Sequence, residues 1–128
     1  MSAGTRRAPR DRGQVSLEFV AMLPILLIVA LGAVQLGVAV YASQQAGSAA
    51  RAAARVASLD PEDADTTPQA AAEAAVSDFL GAVGVAGGPA GDQATVTVTL
   101  QVPDLLPGIA IGTTSRTVTM PVDDPDAP

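Results

Sequence analysis

No cysteine, histidine, lysine or tryptophan occurs in the 128 residues, and the aromatic side chains are two phenylalanines and one tyrosine. Without histidine and cysteine the chain lacks the commonest general base, the thiol nucleophile and the ligands that soft metals prefer. The expectation is therefore a protein that is not an enzyme and that holds no cofactor and no metal. No disulfide can brace it. The acids between Asp60 and Asp65 lack the spacing of an EF-hand loop and read as a solvated turn. The glycines at 84–91 precede a predicted strand instead of following one, so they are no phosphate cradle. The formal net charge of −6, with the acids gathered after Val56, argues against nucleic acid as a partner.

What the chain does have is one long apolar run. From Phe19 to Tyr41 there is no formal charge and a single strongly polar side chain, Gln35. As a helix the run would measure about 35 Å, enough to cross a hydrocarbon core of about 30 Å. Membrane lipid is thus its expected surrounding. Arg6, Arg7, Arg10 and Arg12 precede the run, whereas beyond Val56 the only base is Arg116 and all the acids except Asp11 and Glu18 are found. By the positive-inside tendency the N-terminus stays in the cytoplasm and the acidic part lies outside. Two other readings share these features. One is a secretory signal peptide cut after Ala42, for which the run is too long; the other is a plain signal anchor that is never cut.

The expected architecture is α+β, in five stretches. Residues 1–13 form a basic cytoplasmic leader, and 14–58 a transmembrane helix that continues as a stalk, since Ser43 to Ser58 consists mostly of helix-favouring residues. Arg51 and Arg55, four apart, share one face of that stalk. Residues 59–67 are an acidic linker broken by Pro61. A small extracytoplasmic head spans 68–122, and 123–128 is an acidic tail. Within the head, Thr67 as N-cap and Pro68 as first residue start a helix. The spacing of Val76, Phe79, Leu80 and Val83 carries that helix to Val83. Gly84 to Gly91 is expected to be a flexible loop. Strict alternation over Thr95–Val102 and Thr114–Val122 predicts an antiparallel β-hairpin whose apolar face the 68–83 helix covers. Its connection, Pro103 to Thr113, is unusually apolar, as if packed over the sheet or against another subunit. With about 70 residues beyond Ser58, such a head stands near the lower size limit for a lone domain, and help from a neighbouring subunit is expected.

Glu18 is the feature that calls for a partner. A carboxylate in a spanning helix costs about 2.5–3.5 kcal/mol at the bilayer centre and less toward the interface. A cut between Gly13 and Gln14 would create a positive α-amine at Gln14, and the amine of one subunit could meet the Glu18 of the next, cancelling two buried charges and fixing the stagger of the helices. The simpler alternative is a glutamate that snorkels to water. Pro24 removes one backbone hydrogen bond, that to the carbonyl of Val20, and is expected to kink or loosen the first turns. Ala33 and Gly37, four apart, would let a second helix approach closely.

Gly13 followed by Glu18 and an apolar helix resembles the processing and assembly signal of class III and type IV prepilins. More specifically, residues 12–58 resemble the N-terminal region of TadE-like pseudopilins of the tight-adherence pilus system. The likeness lies in Glu18-Phe19, Leu23-Pro24 before an aliphatic run, Gly32, Gly37, Ala49-Ala50-Arg51 and Arg55. Two positions depart from it: Gln35 stands where members often carry an acid, and Gln14 where the first mature residue is usually small or aromatic. The resemblance implies a minor pseudopilin in a bacterial cytoplasmic membrane, cut by a prepilin peptidase and inserted by the Sec route. It implies other pilin or pseudopilin subunits and the pilus assembly platform as partners, with Gly13 and Gln14 at the processing site and Glu18 in assembly.

Overall fold

A computed structural model describes residues 11–122; the side chains of Asp11, Arg12 and Gln14 are not among the described parts. Most of the expected basic leader and the whole acidic tail, 123–128, lie outside the described residues. The architecture is α+β. It begins with a 48-residue helix, α1 (Asp11–Ser58), followed by a short helix, α2 (Pro68–Ala74). Three strands follow: β1 (Val83–Ala90), β2 (Gln93–Gln101) and β3 (Thr113–Pro121). They form one antiparallel sheet in the order β1-β2-β3.

The second half of α1 is the spine of the head and not a free stalk. Ala42, Ala46, Ala49, Ala50, Ala53, Ala54 and Ala57 are buried along one stripe. Against them lies β2, which buries Ala94, Val96, Val98 and Leu100, with Val102 just beyond its end. The stripe repeats at three and four residues, the period of one helix face. Alanine leaves no side chain beyond Cβ, so the sheet can come close to the helix backbone and its valines fill the space. The expectation that the helix after Thr67 covers the sheet is thereby corrected. That role falls to α1, whose run of small residues carries strong helix propensity but no contrast between large apolar and polar faces.

The helix that starts at Pro68 stops at Ala74, not at Val83. Its start follows local chemistry: Thr67 Oγ1 accepts from the Ala70 amide at 3.2 Å, and Pro68 sits in the first turn. Its end is set by the tertiary structure. The Ser77 amide donates to Gln45 Oε1 on α1, at 3.0 Å, and so leaves the helical ladder. Leu80 is buried in the core, Phe79 is exposed and Val83 opens β1. The four residues that look like one helical face therefore serve three different surroundings.

Gly84 to Gly91, expected to be a loop, is mostly strand. Residues 83–90 pair with 93–100 across a two-residue turn, Gly91-Asp92. Gly91 has φ +66° and Asp92 does not have positive φ, the pattern of a type II′ turn with glycine first. At Gly87, φ is +103° and a Cβ would lie 2.2 Å from the Thr95 carbonyl oxygen. Only glycine fits there, so a residue that reads as a breaker is what lets this edge strand follow its neighbour.

Contacts at three levels show how the sheet lies along the helix. Gln35 bonds to Pro103 and Leu105, just past the end of β2. Arg116, near the start of β3, reaches Ser43 at 2.6 Å. Val56 and Ala57 share a cleft with Gly87, Gly88, Pro89 and Val122. Strand β2 therefore descends from the Ser58 end of α1 toward Gln35, and the β2–β3 connection is the part of the head nearest the N-terminal half of the helix.

Candidate functional site

From Val15 to Val34 the helix presents leucine, isoleucine, valine, methionine and phenylalanine with almost nothing packed on them. Val15, Leu17, Phe19, Ile25, Leu27 and Ile28 are all exposed. Side chains of this size on every face of a helix suit a hydrocarbon surrounding, not water. At 1.5 Å per residue this bare length is about 30 Å, the thickness of a hydrocarbon core. It is the one span of sufficient length and apolarity among the described residues.

Glu18 lies exposed near the start of this bare surface, as does Gly13, which has nothing within 4 Å of the place a Cβ would take. Gln14 is in the helix, but its side chain is not described. Pro24 lies inside α1, which continues unbroken on both sides of it. Proline has no N–H, so the Val20 carbonyl loses its usual donor there. Ala33 and Gly37 are both exposed, on a part of the helix that the head leaves uncovered, and no atom comes within 4 Å of a Cβ built on Gly37. Arg51 and Arg55 are exposed too. Arg51 lines a shallow groove with Ser43, Gln44, Ser48 and Arg116, and Arg55 stands in the last turn of α1, where a cation is favoured by the helix dipole. The structure thus leaves Gly13, Glu18, Ala33 and Gly37 on open surface of one helix, with Ala33 and Gly37 one turn apart and the Gly13–Glu18 end about four turns or more from that pair.

Two glutamines on α1, neither read as structural from the sequence, fix the head to the helix. Gln35 is 2% exposed. Its Nε2 donates to the Pro103 carbonyl at 3.0 Å, and its Oε1 accepts from the Leu105 amide at 2.8 Å. Both ends of the amide are used on the backbone of one connection. Ten residues on, Gln45 does the same for the segment after α2: besides accepting from the Ser77 amide, it donates to the Ser77 hydroxyl at 2.9 Å and to the Tyr41 hydroxyl. Tyr41 and Ser77 share a further hydroxyl bond of 2.8 Å. The isolation of Gln35 within the apolar run was the available signal. A lone amide in such a run needs partners for a donor and an acceptor, and a carboxylate could supply only acceptors.

The family model of TadE-like proteins matches residues 13–55. This region of the chain is TadE-like. The match starts at Gly13, takes in Glu18 and the entire bare segment, and ends within the alanine stripe. The family belongs to tight-adherence pilus systems, and the TadE-like helix is by length and composition the one membrane-crossing candidate among the described residues. No match to the chain is found among the curated proteins or among the solved structures.

Proposed function

We propose that the chain is a minor pseudopilin of a tight-adherence pilus system, cut after Gly13 by a prepilin peptidase and assembled with other pilin or pseudopilin subunits at an assembly platform. The observation that carries this reading is the extent of the family match, which begins at the glycine of the proposed cut and includes Glu18 four residues after the new terminus. The role is structural, not catalytic. The four arginines before the apolar run favour a cytoplasmic N-terminus and an external head. In the assembled state, Glu18 of one subunit receives the Gln14 amine of another, and Ala33 and Gly37 provide a small-residue contact between helices.

The direct test is the intact mass and N-terminal peptide of the membrane-associated protein, in cells with and without their prepilin peptidase. A start at Gln14 that disappears without the peptidase is the expected result. A start at Met1 or Ser2 in both strains would make the chain an uncut signal anchor. A start at Ser43 would make it a secreted protein, an outcome the fold disfavours because that cut would remove Gln35 and Ala42 from the head's own packing. Glu18→Ala is expected to leave the cut intact and to lower incorporation into the appendage. Normal incorporation of that variant would remove the proposed role of the carboxylate.

A further inference from the structure

The connection between β2 and β3 has the composition of a buried segment and the placement of an exposed one. It runs Pro103-Asp104-Leu105-Leu106-Pro107-Gly108-Ile109-Ala110-Ile111-Gly112, and its one charged side chain is Asp104. Leu105 and Leu106 are half-buried, whereas Ile109 is 56% and Ile111 38% exposed. Among the described residues beyond α1, the one other large apolar side chain exposed to this degree is Phe79, at 57%.

Its position along α1 is fixed by the Gln35 amide, which holds residues 103–105 at the level where the bare helix ends. Leu31, one turn below Gln35, is the least exposed of the large apolar residues between Val15 and Val34, at 37%, and its neighbour Gly32 is half-buried. Cover on the helix thus starts near residue 31. If the hydrocarbon core begins near Val15, its far edge falls at about residue 34, and if it begins nearer Phe19, the edge falls at about residue 38. In both cases the connection lies at the lipid boundary, continuous with the apolar surface of the helix below it.

Part of the backbone of the connection suits that place, while the amides of Leu106, Gly108 and Ala110 have no protein partner among the described residues and call for the headgroup layer or water instead of the hydrocarbon interior. Polar groups that meet lipid must find partners within the protein. The Leu105 amide is taken by Gln35; the Ile109 amide bonds the Leu106 carbonyl at 3.2 Å, and the Ile111 amide bonds Asp104 Oδ1 at 3.3 Å. The Val102 amide closes the neck of the loop on the Gly112 carbonyl at 2.9 Å. Pro103 and Pro107 have no amide hydrogen to satisfy.

We propose that Leu105 to Ile111 form a membrane-contacting foot, which places Ile109 and Ile111 at the boundary between headgroups and acyl chains of the leaflet on the head's side. The head then sits directly on the bilayer. This rests on α1 spanning the membrane and is independent of whether the chain is cut after Gly13.

The chain has no tryptophan, so single tryptophans can report depth. Three variants of the full chain serve: Ile109→Trp in the foot, Leu27→Trp in the bare helix and Asp92→Trp at the far turn of the sheet. Each is reconstituted in phosphatidylcholine–phosphatidylglycerol vesicles whose acyl chains are brominated either near the headgroup or near the chain end. The foot tryptophan is expected to emit to the blue of the Asp92→Trp one, to be severalfold less quenched by iodide, and to be quenched more by the shallow than by the deep bromine. Leu27→Trp should show the reverse order. Ala110→Trp, at a second exposed position, should repeat the Ile109→Trp result if the foot is intact.

Equal quenching of the foot and of Asp92→Trp by iodide, with Leu27→Trp still quenched by bromolipid, would overturn the foot while leaving the span in place. Shielding that is lost on diluting the protein in lipid would assign the patch to a second copy of the chain and would also overturn it. Failure of Leu27→Trp to meet bromolipid would remove the span and the foot together.

Discussion

The two halves of α1 obey opposite rules about size and exposure. From Val15 to Val34 the large side chains, Leu17, Ile25, Leu27 and Ile28 among them, are exposed, while from Gln35 to Ser58 the buried residues are mostly alanines. In water the large apolar residues would be expected inside and alanine would be indifferent. The inversion shows one continuous helix serving two surroundings. The first half is shaped for lipid, which accepts any large apolar surface. The second half is shaped for one sheet, which accepts only a surface without bulk. Gln35 marks the change, where a buried amide replaces both lipid and alanine.

The largest test of this contrast is to delete bulk on each side of it. Leu100 is the largest of the fully buried side chains and faces the alanine stripe. Leu100→Ala should lower the stability of the head by about 2–5 kcal/mol, because alanines on the other side cannot expand into the cavity. The opposite insertion, Ala50→Leu, should cost about 1–3 kcal/mol by forcing the sheet away. Leu27→Ala, an equal deletion on the bare half, should leave the head unchanged. Hydrogen exchange of the β2 amides in lipid nanodiscs separates the three. Equal loss from Leu27→Ala and Leu100→Ala would mean that the halves are not independent.

How much of this could be read from the sequence differs between the same two halves. The bare half was legible, since a long uncharged run has few interpretations, and Glu18 with Gly13 led to the family. The strands β2 and β3 were legible from strict alternation, and the start of α2 from Thr67 and Pro68. The covered half was not. An alanine stripe has no amphipathic signature, so a helix that forms the core of the head looks like a free stalk. Strand β1 was hidden for a related reason: Gly84, Gly87 and Gly88 are breakers by propensity, yet Gly87 is required where the Thr95 carbonyl leaves no room for a Cβ. Val76, Phe79, Leu80 and Val83 matched a helical period, and the pull of Gln45 on Ser77 together with pairing to β2 overrode it. In each case the deciding partner is distant in sequence.

A smaller effect is expected at the junction itself. Gln35→Leu removes both bonds to the connection and leaves the Leu105 amide and the Pro103 carbonyl without their protein partner, at a cost of about 1–3 kcal/mol if they stay buried. The amides of residues 105–111 should then exchange faster while those of β2 change little. Gln35→Glu is the sharper variant, since it keeps the size and the acceptor and removes only the donor. A carboxylate can still accept from the Leu105 amide, but it turns a second acceptor toward the Pro103 carbonyl. It should therefore loosen the Pro103 side of the connection and protect the Leu105 side. Equal protection of both would show that the clamp depends on shape and not on the amide.

The smallest effect concerns the sheet's outer face, which provides a third kind of surface to set against the bare helix. It is exposed like the helix but polar, with Thr95 hydroxyl-bonded to Thr119 at 2.9 Å and Thr97 to Thr117 at 2.7 Å, each pair directly opposite across β2 and β3. Such cross-strand pairs contribute about 0.2–1 kcal/mol. A double-mutant cycle of Thr97→Val and Thr117→Val, read by thermal unfolding, should return a coupling in that range, because each orphaned hydroxyl can turn to water instead. A coupling well above the range would mean that water does not reach this face, and the sheet would then have to be covered by a partner just as the lower half of α1 is covered by lipid.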